Sequence, residues 1–353
     1  MRKVLCILCF LFFSTQSTWG QNRIGPNVVE PIPDLGYNPD FVKSYYNNLC
    51  ITLPAVVKSS NLVFTNPSGT TLDYRTNMPM NYGIGLDYRW LTMEFTTSIP
   101  GLSITDPDRG ETNSFGFGFG ITGRKWWFKN FIEIYDGYHL ANSEMIDENW
   151  FKNQTKYYHR PDLVTLTYFG SLNYGFNNRK FSNVASLWNL EQQLKSQGSW
   201  TIGLSFGLEY MVADSSFVPS ALEEDFPNLS HIQGLGASFV GVNFGYLYQW
   251  VIIPKLTLSA AFIPGISVQS ASIVKTDGTF VDFKNTLGAQ GETRLGINYS
   301  NEKWYGGATY SGYIISNDEY VSSPLNQIFG YTRFFIGYRI KIKRTRKMKK
   351  WFL

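Results

Sequence analysis

The alternation of aromatic residues and glycines at positions 114–140, SFGFGFGITGRKWWFKNFIEIYDGYHL, constrains the fold of this chain more than any other feature. Side chains two positions apart lie on the same face of a β-strand. Phe115, Phe117 and Phe119 therefore share one face, and the glycines between them share the other. Alternation resumes after the basic, tryptophan-rich corner GRKWW, so the stretch predicts two strands joined as a hairpin.

The same alternation recurs along the chain and predicts an all-β fold. It is seen at residues 49–53, 82–88, 164–174, 200–208, 240–248, 295–299 and 334–340. Apolar rows backed by small or polar residues, with Tyr and Trp near the strand ends, are typical of a barrel that crosses an outer membrane. Such a barrel has to close, because an open edge in lipid leaves backbone groups unpaired. We therefore predict a transmembrane antiparallel β-barrel of about 14 strands, within a range of about 12 to 16.

Composition supports strands rather than helices as the membrane-spanning elements. Charged residues make up 16% of the chain and aromatic residues 17%. Soluble proteins have about 25% charged residues, so a soluble sandwich with a charged outer face fits poorly. Mean hydropathy is only −0.17, and after residue 20 no stretch approaches the roughly 18 consecutive apolar residues of a membrane helix.

The two ends of the chain differ from its body. Residues 1–20 begin with Arg2 and Lys3, continue with an apolar run at 4–13 and finish in small and polar residues, the pattern of a cleaved secretory signal. We expect a signal peptide at 1–20, a periplasmic lead-in at 21–46, the barrel at 47–340 and a basic tail at 341–353. Only Cys50 remains after the signal peptide, which excludes a scaffold of intrachain disulfides.

The basic tail holds seven of the 31 Lys and Arg residues. It is either solvated or in contact with anionic lipid or a cell-wall polymer. Basic runs also bind nucleic acid, but export removes this chain from nucleic acid, and we expect no such partner. The expected partners are outer-membrane lipid, the barrel-assembly machinery during biogenesis and an envelope partner at the tail.

Loop lengths conflict with a simple strand count. Bacterial barrels have short periplasmic turns and longer outer loops. Counting back from the C-terminus places residues 211–236 outside, as expected, but places residues 141–161 on the periplasmic side. Either one strand is miscounted near residues 176–200, or the protein has an unusual periplasmic loop.

Several short motifs together resemble a known family. They are GIGLDYRWL (83–91), GRKWW (123–127), YDGYHL (135–140), FNNRKFS (176–182), EQQLKSQGSW (191–200) and RFFIGYRI (333–340). In this order they resemble an uncharacterised, domain-of-unknown-function family of outer-membrane β-barrel proteins from Bacteroidetes-type bacteria, from about residue 45 to residue 340. The resemblance implies an outer-membrane location and no assigned activity.

Motifs that suggest chemistry lack the context that the chemistry needs. GFGITG (118–123) matches a dinucleotide fingerprint, but a strand rather than a helix follows it. GLSFG (203–207) matches a nucleophile elbow, yet Ser205 lies within a strand pattern. TDPDRGE (105–111) offers carboxylates for Ca²⁺ but reads as a solvated turn. We therefore predict no cofactor-binding residue and no metal site.

The three histidines are the remaining candidates for catalysis. His139 lies at a strand end, His159 in the connection after it, and His231 in the long loop beside Ser230. A lipid-processing enzyme needs one of them next to a serine and a carboxylate, and the spacing indicates no such set. We predict no catalytic residue.

Charges of both signs are predicted to face the lumen: Asp87, Arg89, Glu94, Glu133, Glu191, Glu209, Arg294, Arg333 and Arg339. They either form a network that plugs the bore or line a narrow polar channel. The function that fits the sequence is an outer-membrane barrel of unknown substrate with an envelope structural or pore-type role. The alternatives are a lipid-modifying barrel enzyme and a partner-docking barrel of an envelope complex.

Overall fold

The computed structural model describes residues 36–77, 80–99, 101–102, 105–282, 285–317 and 325–342. The predicted signal peptide, most of the lead-in and most of the basic tail lie outside these residues. The strands are β1 (Val42–Ser44), β2 (Asn48–Thr65), β3 (Thr71–Arg75), β4 (Met80–Tyr88), β5 (Leu91–Ser98), β6 (Asn113–Thr122), β7 (Trp126–Leu140), β8 (Tyr158–Gly175), β9 (Glu191–Gln193), β10 (Gln197–Val212), β11 (Ile232–Ile253), β12 (Leu256–Lys275), β13 (Phe280–Asp282), β14 (Thr286–Ser300), β15 (Trp304–Asn317) and β16 (Leu325–Lys341). The short α-helices are α1 (Trp150–Asn153) and α2 (Asn183–Leu187), and single 3-10 turns lie at Pro107–Arg109, Ser143–Met145 and Ser220–Leu222.

Within the described residues, fourteen strands form one antiparallel sheet, and twelve of them close into a ring. The order around the ring is β2, β4, β5, β6, β7, β8, β10, β11, β12, β14, β15 and β16, which pairs again with β2. Of the other two strands, β3 pairs with β2 and β7, and β13 pairs with β12. The predicted antiparallel barrel of about fourteen strands is confirmed, with twelve strands forming its wall.

The opening stretch forms the predicted hairpin. Phe115 of β6 pairs with Ile134 of β7, and Phe119 pairs with Asn130. Phe115 is 41% exposed and faces outward, while Gly116 is buried and faces the lumen. Phe117 stacks on Phe95 of the neighbouring strand at a centroid distance of 4.5 Å. Apolar rows thus face outward and small residues inward, as the alternation predicts.

The helices of the described residues are short, and none of them has the length and hydropathy of a membrane-spanning helix.

The connections differ in length between the two ends of the barrel. The turn end carries the described chain before β2, the C-terminus of β16 and the connections 89–90, 123–125, 176–196, 254–255 and 301–303. The loop end carries the connections 66–70, 141–157 and 213–231. The placement of residues 141–161 at the end opposite residues 211–236 is therefore wrong, because β8 runs back without interruption to the turn end. The unusual connection at the turn end is 176–196, which contains α2 and β9.

The wall narrows towards the loop end. β3 pairs with β2 through Asn61 and Arg75 and with β7 through Tyr74 and Leu140. On the loop-end side, β4 reaches only as far as Val57 of β2, which pairs with its first residue, Met80. β4, β5 and β6 therefore do not reach the level of Asn61, where β3 takes their place. The ring thus has twelve strands at the turn end and ten at the loop end.

Candidate functional site

The lumen brings together the polar and charged side chains that the barrel buries at mid-height. Seven described residues form what we call the charged layer: Lys58, Glu94, Lys129, Glu133, Glu292, Arg294 and Arg333. They occupy inward positions on β2, β5, β7, β14 and β16. Because an isolated buried charge is very costly, these side chains require partners.

Two ion pairs of the charged layer join strands that are not neighbours. Lys58 Nζ of β2 lies 2.5 Å from Glu133 Oε2 of β7, with β4, β5 and β6 between the two strands. Arg333 Nη2 and Nε donate to the carboxylate of Glu94 at 2.6–3.1 Å. The bonds therefore cross the lumen instead of running along its wall.

A third pair joins strands on opposite sides of the ring. Lys129 Nζ of β7 lies 2.5 Å from Glu292 Oε1 of β14 and donates to Tyr313 Oη at 2.7 Å. Four ring strands separate β7 from β14 in one direction and six in the other. Arg294 Nε approaches the same carboxylate at 3.2 Å. Opposite walls of the barrel are thus connected by charge.

The glycine face of β6 makes room for these contacts. A Cβ atom added at Gly116 would lie 2.1 Å from Lys58 Nζ and 2.8 Å from Glu133 Oε1. A Cβ atom added at Gly120 would lie 2.9 Å from the ring of Trp188. Gly116 and Gly120 are therefore required by what the lumen contains, whereas Gly118 has room for a Cβ atom.

An aromatic layer crosses the lumen beside the charged layer. Its members are Phe131, Phe169, Phe239, Tyr313 and Phe329, from five different strands. Phe169 of β8 and Tyr313 of β15 lie on opposite sides of the ring, yet their centroids are 5.0 Å apart. Tyr313 also stacks on Phe329 at 5.0 Å. This packing fills the bore.

The loop-end cap, residues 213–231, folds into the narrow end of the barrel. Its apolar side chains Phe217, Leu222 and Phe226 are almost fully buried. Tyr74 Oη donates to the carbonyl of Phe217 at 2.5 Å, and Arg160 Nη1 donates to that of Ser216 at 2.8 Å. The cap thus combines an apolar core with hydrogen bonds to the wall.

The turn-end cap, residues 176–196, closes the other end. Ser182 caps α2 by accepting a hydrogen bond from the Ala185 amide at 3.0 Å. β9 pairs with β1, and Arg124 forms an ion pair with Glu191. Burial raises the pKa of the Glu191 carboxyl above its ordinary value, although Arg124 and Ser182 act in the opposite direction.

A cavity of about 130 Å³ lies between the turn-end cap and the aromatic layer. Its lining includes Lys58, Glu94 and Arg333 from the wall and Ser186 and Trp188 from the cap. Charged side chains contribute to this lining, and a space of this size is large enough for several water molecules. It is too small for a drug-sized ligand, since such pockets measure about 300–1,000 Å³.

The alternation placed most of the predicted lumen charges correctly. Asp87, Glu94, Glu133, Glu209, Arg294, Arg333 and Arg339 occupy inward strand positions, and Glu191 lies in the turn-end cap. The prediction for Arg89 is wrong: it lies in the tight turn between β4 and β5 with φ 56°, where the alternation ends.

Three members of the charged layer were missed: Lys58, Lys129 and Glu292. The same alternation marks two of them. Lys129 lies four positions before Glu133 on β7, and Glu292 lies two before Arg294 on β14. An even separation in a continuous strand puts both residues on one face.

His139 of β7 and His159 of β8 are register partners on neighbouring strands, whereas His231 lies in the loop-end cap. The prediction that His159 lies in the connection is therefore wrong, because β8 begins at Tyr158. His139 is buried with its ring edge-on to Tyr157, and His159 Nε2 is 3.0 Å from the carbonyl oxygen of Asp108. His231 is exposed at the end of the loop-end cap. Within the described chain, no side-chain hydrogen bond joins any of them to a serine or a carboxylate.

The other tempting motifs take structural roles. Ser205 lies within β10, and its hydroxyl accepts a hydrogen bond from Gln290 Nε2 at 2.5 Å. GFGITG runs from β6 into a turn that leads to β7. Asp106 caps a 3-10 turn by accepting from the Asp108 amide at 3.0 Å. In the described part of the chain, no cluster of three or more potential ligands is arranged to hold a metal ion.

Solved structures with similar architecture are outer-membrane proteins. The P. putida toluene transporter TodX is 8% identical with a TM-score of 0.26, covering 88% of this chain and 92% of that one. OmpT of Vibrio cholerae is 8% identical with a TM-score of 0.27, covering 81% and 97%. A Pseudomonas aeruginosa FadL homologue is 9% identical with a TM-score of 0.24, covering 84% and 91%. At these values no function is transferred to this chain.

No curated protein matches the chain. One family model does, over residues 37–340, and its description is a domain of unknown function. The predicted resemblance to an uncharacterised family is confirmed by this match, and the Bacteroidetes-type origin stays a prediction.

Proposed function

This chain belongs to the DUF4421 family, a domain of unknown function that spans residues 37–340, and we propose that it is a closed β-barrel of the outer membrane with a structural role in the cell envelope. The closed lumen carries this proposal. Between the two caps, the charged layer and the aromatic layer connect opposite walls.

The outer surface supports membrane embedding. Exposed apolar side chains form what we call the apolar belt, with members on nearly every strand of the ring: Leu53, Ile84, Phe95, Phe115, Leu166, Leu204, Phe244, Ile266, Leu295, Ile314 and Phe334. Monomeric soluble proteins rarely expose a contiguous apolar patch above a few hundred Å². A bilayer covers such a belt on all sides, whereas a protein partner covers one side.

Cross-lumen contacts favour the structural role over the pore-type role. A conducting pore needs a continuous polar path through the bore. Here Phe169 and Tyr313 meet from opposite walls, and the loop-end cap adds an apolar core above them. The cavity of about 130 Å³ is therefore a space between layers and not a passage.

Conductance and thiol protection together test the closed lumen. Cys50 faces the lumen, is fully buried and packs with Val184 and Leu190 of the turn-end cap. We expect the protein in planar bilayers to show no steady conductance, and we expect Cys50 to resist a small water-soluble thiol reagent. Replacing residues 183–189 with a Gly-Ser linker should make Cys50 reactive.

The matched control replaces residues 147–156 of a loop-end connection, which are exposed except for the partly buried Trp150, and it should leave Cys50 protected. Regular conductance steps from the unaltered protein would contradict the proposal. So would rapid Cys50 modification in a protein that is folded and embedded.

A further inference from the structure

The two ends of the barrel carry opposite charge. The described turn-end connections, together with the chain before β2 and Lys341, contain ten Lys and Arg residues and three Asp and Glu residues, a difference of +7. The described loop-end connections, including 105–112 and 276–282, contain three Lys and Arg residues and twelve Asp and Glu residues, a difference of −9. The molecule is thus strongly polarised along its axis.

The exposed tryptophans are also unequally distributed between the two ends of the barrel. The tryptophans that are exposed in the described chain all lie at the turn end: Trp90, Trp126, Trp200, Trp250 and Trp304, with 43–53% of each side chain exposed. Each lies at the edge of the apolar belt, and several of them have an aromatic neighbour. Trp126 contacts Tyr174 at 4.9 Å, and Trp304 contacts Tyr338 at 4.7 Å.

Basic residues directly precede three of these five tryptophans, and a fourth tryptophan is followed by a turn that contains a lysine. Arg89 precedes Trp90, Lys125 precedes Trp126 and Lys303 precedes Trp304, while Lys255 lies in the turn that follows Trp250. Lys125, Lys255 and Lys303 are exposed, and none of them forms an ion pair with another described residue. Indoles and ammonium groups therefore surround the turn end, and we call these tryptophans and basic residues together the ring.

We propose that this ring binds the phosphate groups of anionic phospholipids in the leaflet that contacts the turn end. The inference depends on the proposed membrane embedding. Indole rings settle where a bilayer is half apolar and half wet, which puts the adjacent ammonium groups at the level of the lipid phosphates. Juxtamembrane Lys and Arg are attracted to anionic headgroups in this position.

A lipid fits the ring better than an anionic cell-wall polymer does. Binding of an anionic cell-wall polymer beyond the membrane would need only the basic side chains. It does not account for a tryptophan at the belt edge beside the basic residues of three separate turns. The basic side chains are also distributed around the circumference, as annular lipid is, and not gathered in one patch.

Tryptophan quenching by brominated lipid tests the inference. The protein is reconstituted in phosphatidylcholine vesicles that contain brominated phosphatidylglycerol or, at equal mole fraction, brominated phosphatidylcholine. We expect about fivefold preferential association of the phosphatidylglycerol, the ratio that corresponds to about 1 kcal/mol for one engaged cation. Added salt should reduce the preference, because exposed charges are screened.

Charge variants locate the effect. The triple variant Lys125→Gln, Lys255→Gln, Lys303→Gln should lose most of the preference. The matched control Lys152→Gln, Lys156→Gln, Lys275→Gln removes the same charge from the loop end and should keep it. A triple variant with an unchanged preference would overturn the assignment to this ring.

The two possible failures give different signals. If neither brominated lipid quenches the tryptophans, the protein is not embedded and the proposed function fails. If both quench equally, the protein is embedded but the ring does not select anionic lipid. The second result overturns this inference and leaves the turn end as a surface for an anionic polymer.

Discussion

Glycine at the inner face of β6 is as informative as phenylalanine at its outer face. Phe115 and its row meet the surroundings of the barrel, while Gly116 lies against the ion pair of Lys58 and Glu133. An inward side chain here would compete with a charge pair for the same space. The alternation of phenylalanine and glycine therefore indicates both an apolar outer surface and a crowded lumen.

Gly116→Ala should destabilise the protein. The added Cβ atom would lie 2.1 Å from Lys58 Nζ and force the buried pair apart, and overpacking of this kind costs about 1–3 kcal/mol. Urea unfolding followed by tryptophan fluorescence measures the change in the free energy of unfolding. Gly118→Ala is the matched control, since a Cβ atom there has no neighbour closer than 3.7 Å; an equal loss in both variants would show that the ion pair is not the cause.

At the scale of elements, a buried cation of the wall binds the first half of the loop-end cap. Arg160 donates to the carbonyls of Ser216 and Phe217 at 2.8 and 3.3 Å, and Asp162 holds its guanidinium group at 2.8 Å. Tyr74 Oη donates to the same Phe217 carbonyl and Asn66 Nδ2 donates to the Asp225 carbonyl at 2.9 Å, and the other contacts of the cap include a large apolar core. Arg160 and Tyr74 therefore hold the first half of the cap, and the charged hydrogen bonds among these contacts come from Arg160.

Arg160→Met should loosen the loop-end cap without unfolding the barrel. Hydrogen bonds to a charged group contribute about 1.5–3 kcal/mol, so local opening should increase roughly tenfold to a hundredfold. Hydrogen exchange of the Phe217 amide, which donates to the Ile232 carbonyl, measures this opening. Arg75→Met removes a half-exposed arginine whose ion pair, within the described residues, is with Asp73 on the same strand. It should change the exchange of the Phe217 amide little, and equal effects of the two variants would contradict the anchoring role of Arg160.

The strands were predictable from sequence, and the caps were not. Alternation needs only local sequence, so it gave the hairpin of β6 and β7 and the inward position of Arg294. Residues 213–231 and 176–196 lack a periodic pattern, and their burial depends on long-range contacts with the wall. The narrowing to ten strands was equally hidden, because β3 is recognised as part of the wall only through its pairing with β7.

At the scale of the whole molecule, closure and polarity are two independent properties. The lumen contacts join opposite walls of the barrel, whereas the opposite charges of its two ends make one end different from the other. Short turns and both ends of the described chain lie together at the basic end, and the long connections lie at the acidic end. In bacterial barrels this arrangement corresponds to turns in the periplasm and loops outside the cell.

Cysteine accessibility on intact cells tests that orientation. Asp277→Cys places a thiol in an exposed loop-end turn, and Lys195→Cys places one in the exposed part of the turn-end cap. Cys50 is fully buried and does not compete. A membrane-impermeant maleimide should label Asp277→Cys on intact cells and should label Lys195→Cys only after the outer membrane is permeabilised, because the bilayer around the apolar belt separates the two ends. The reverse pattern would place the acidic end in the periplasm, and equal labelling of both on intact cells would mean that no membrane lies between them.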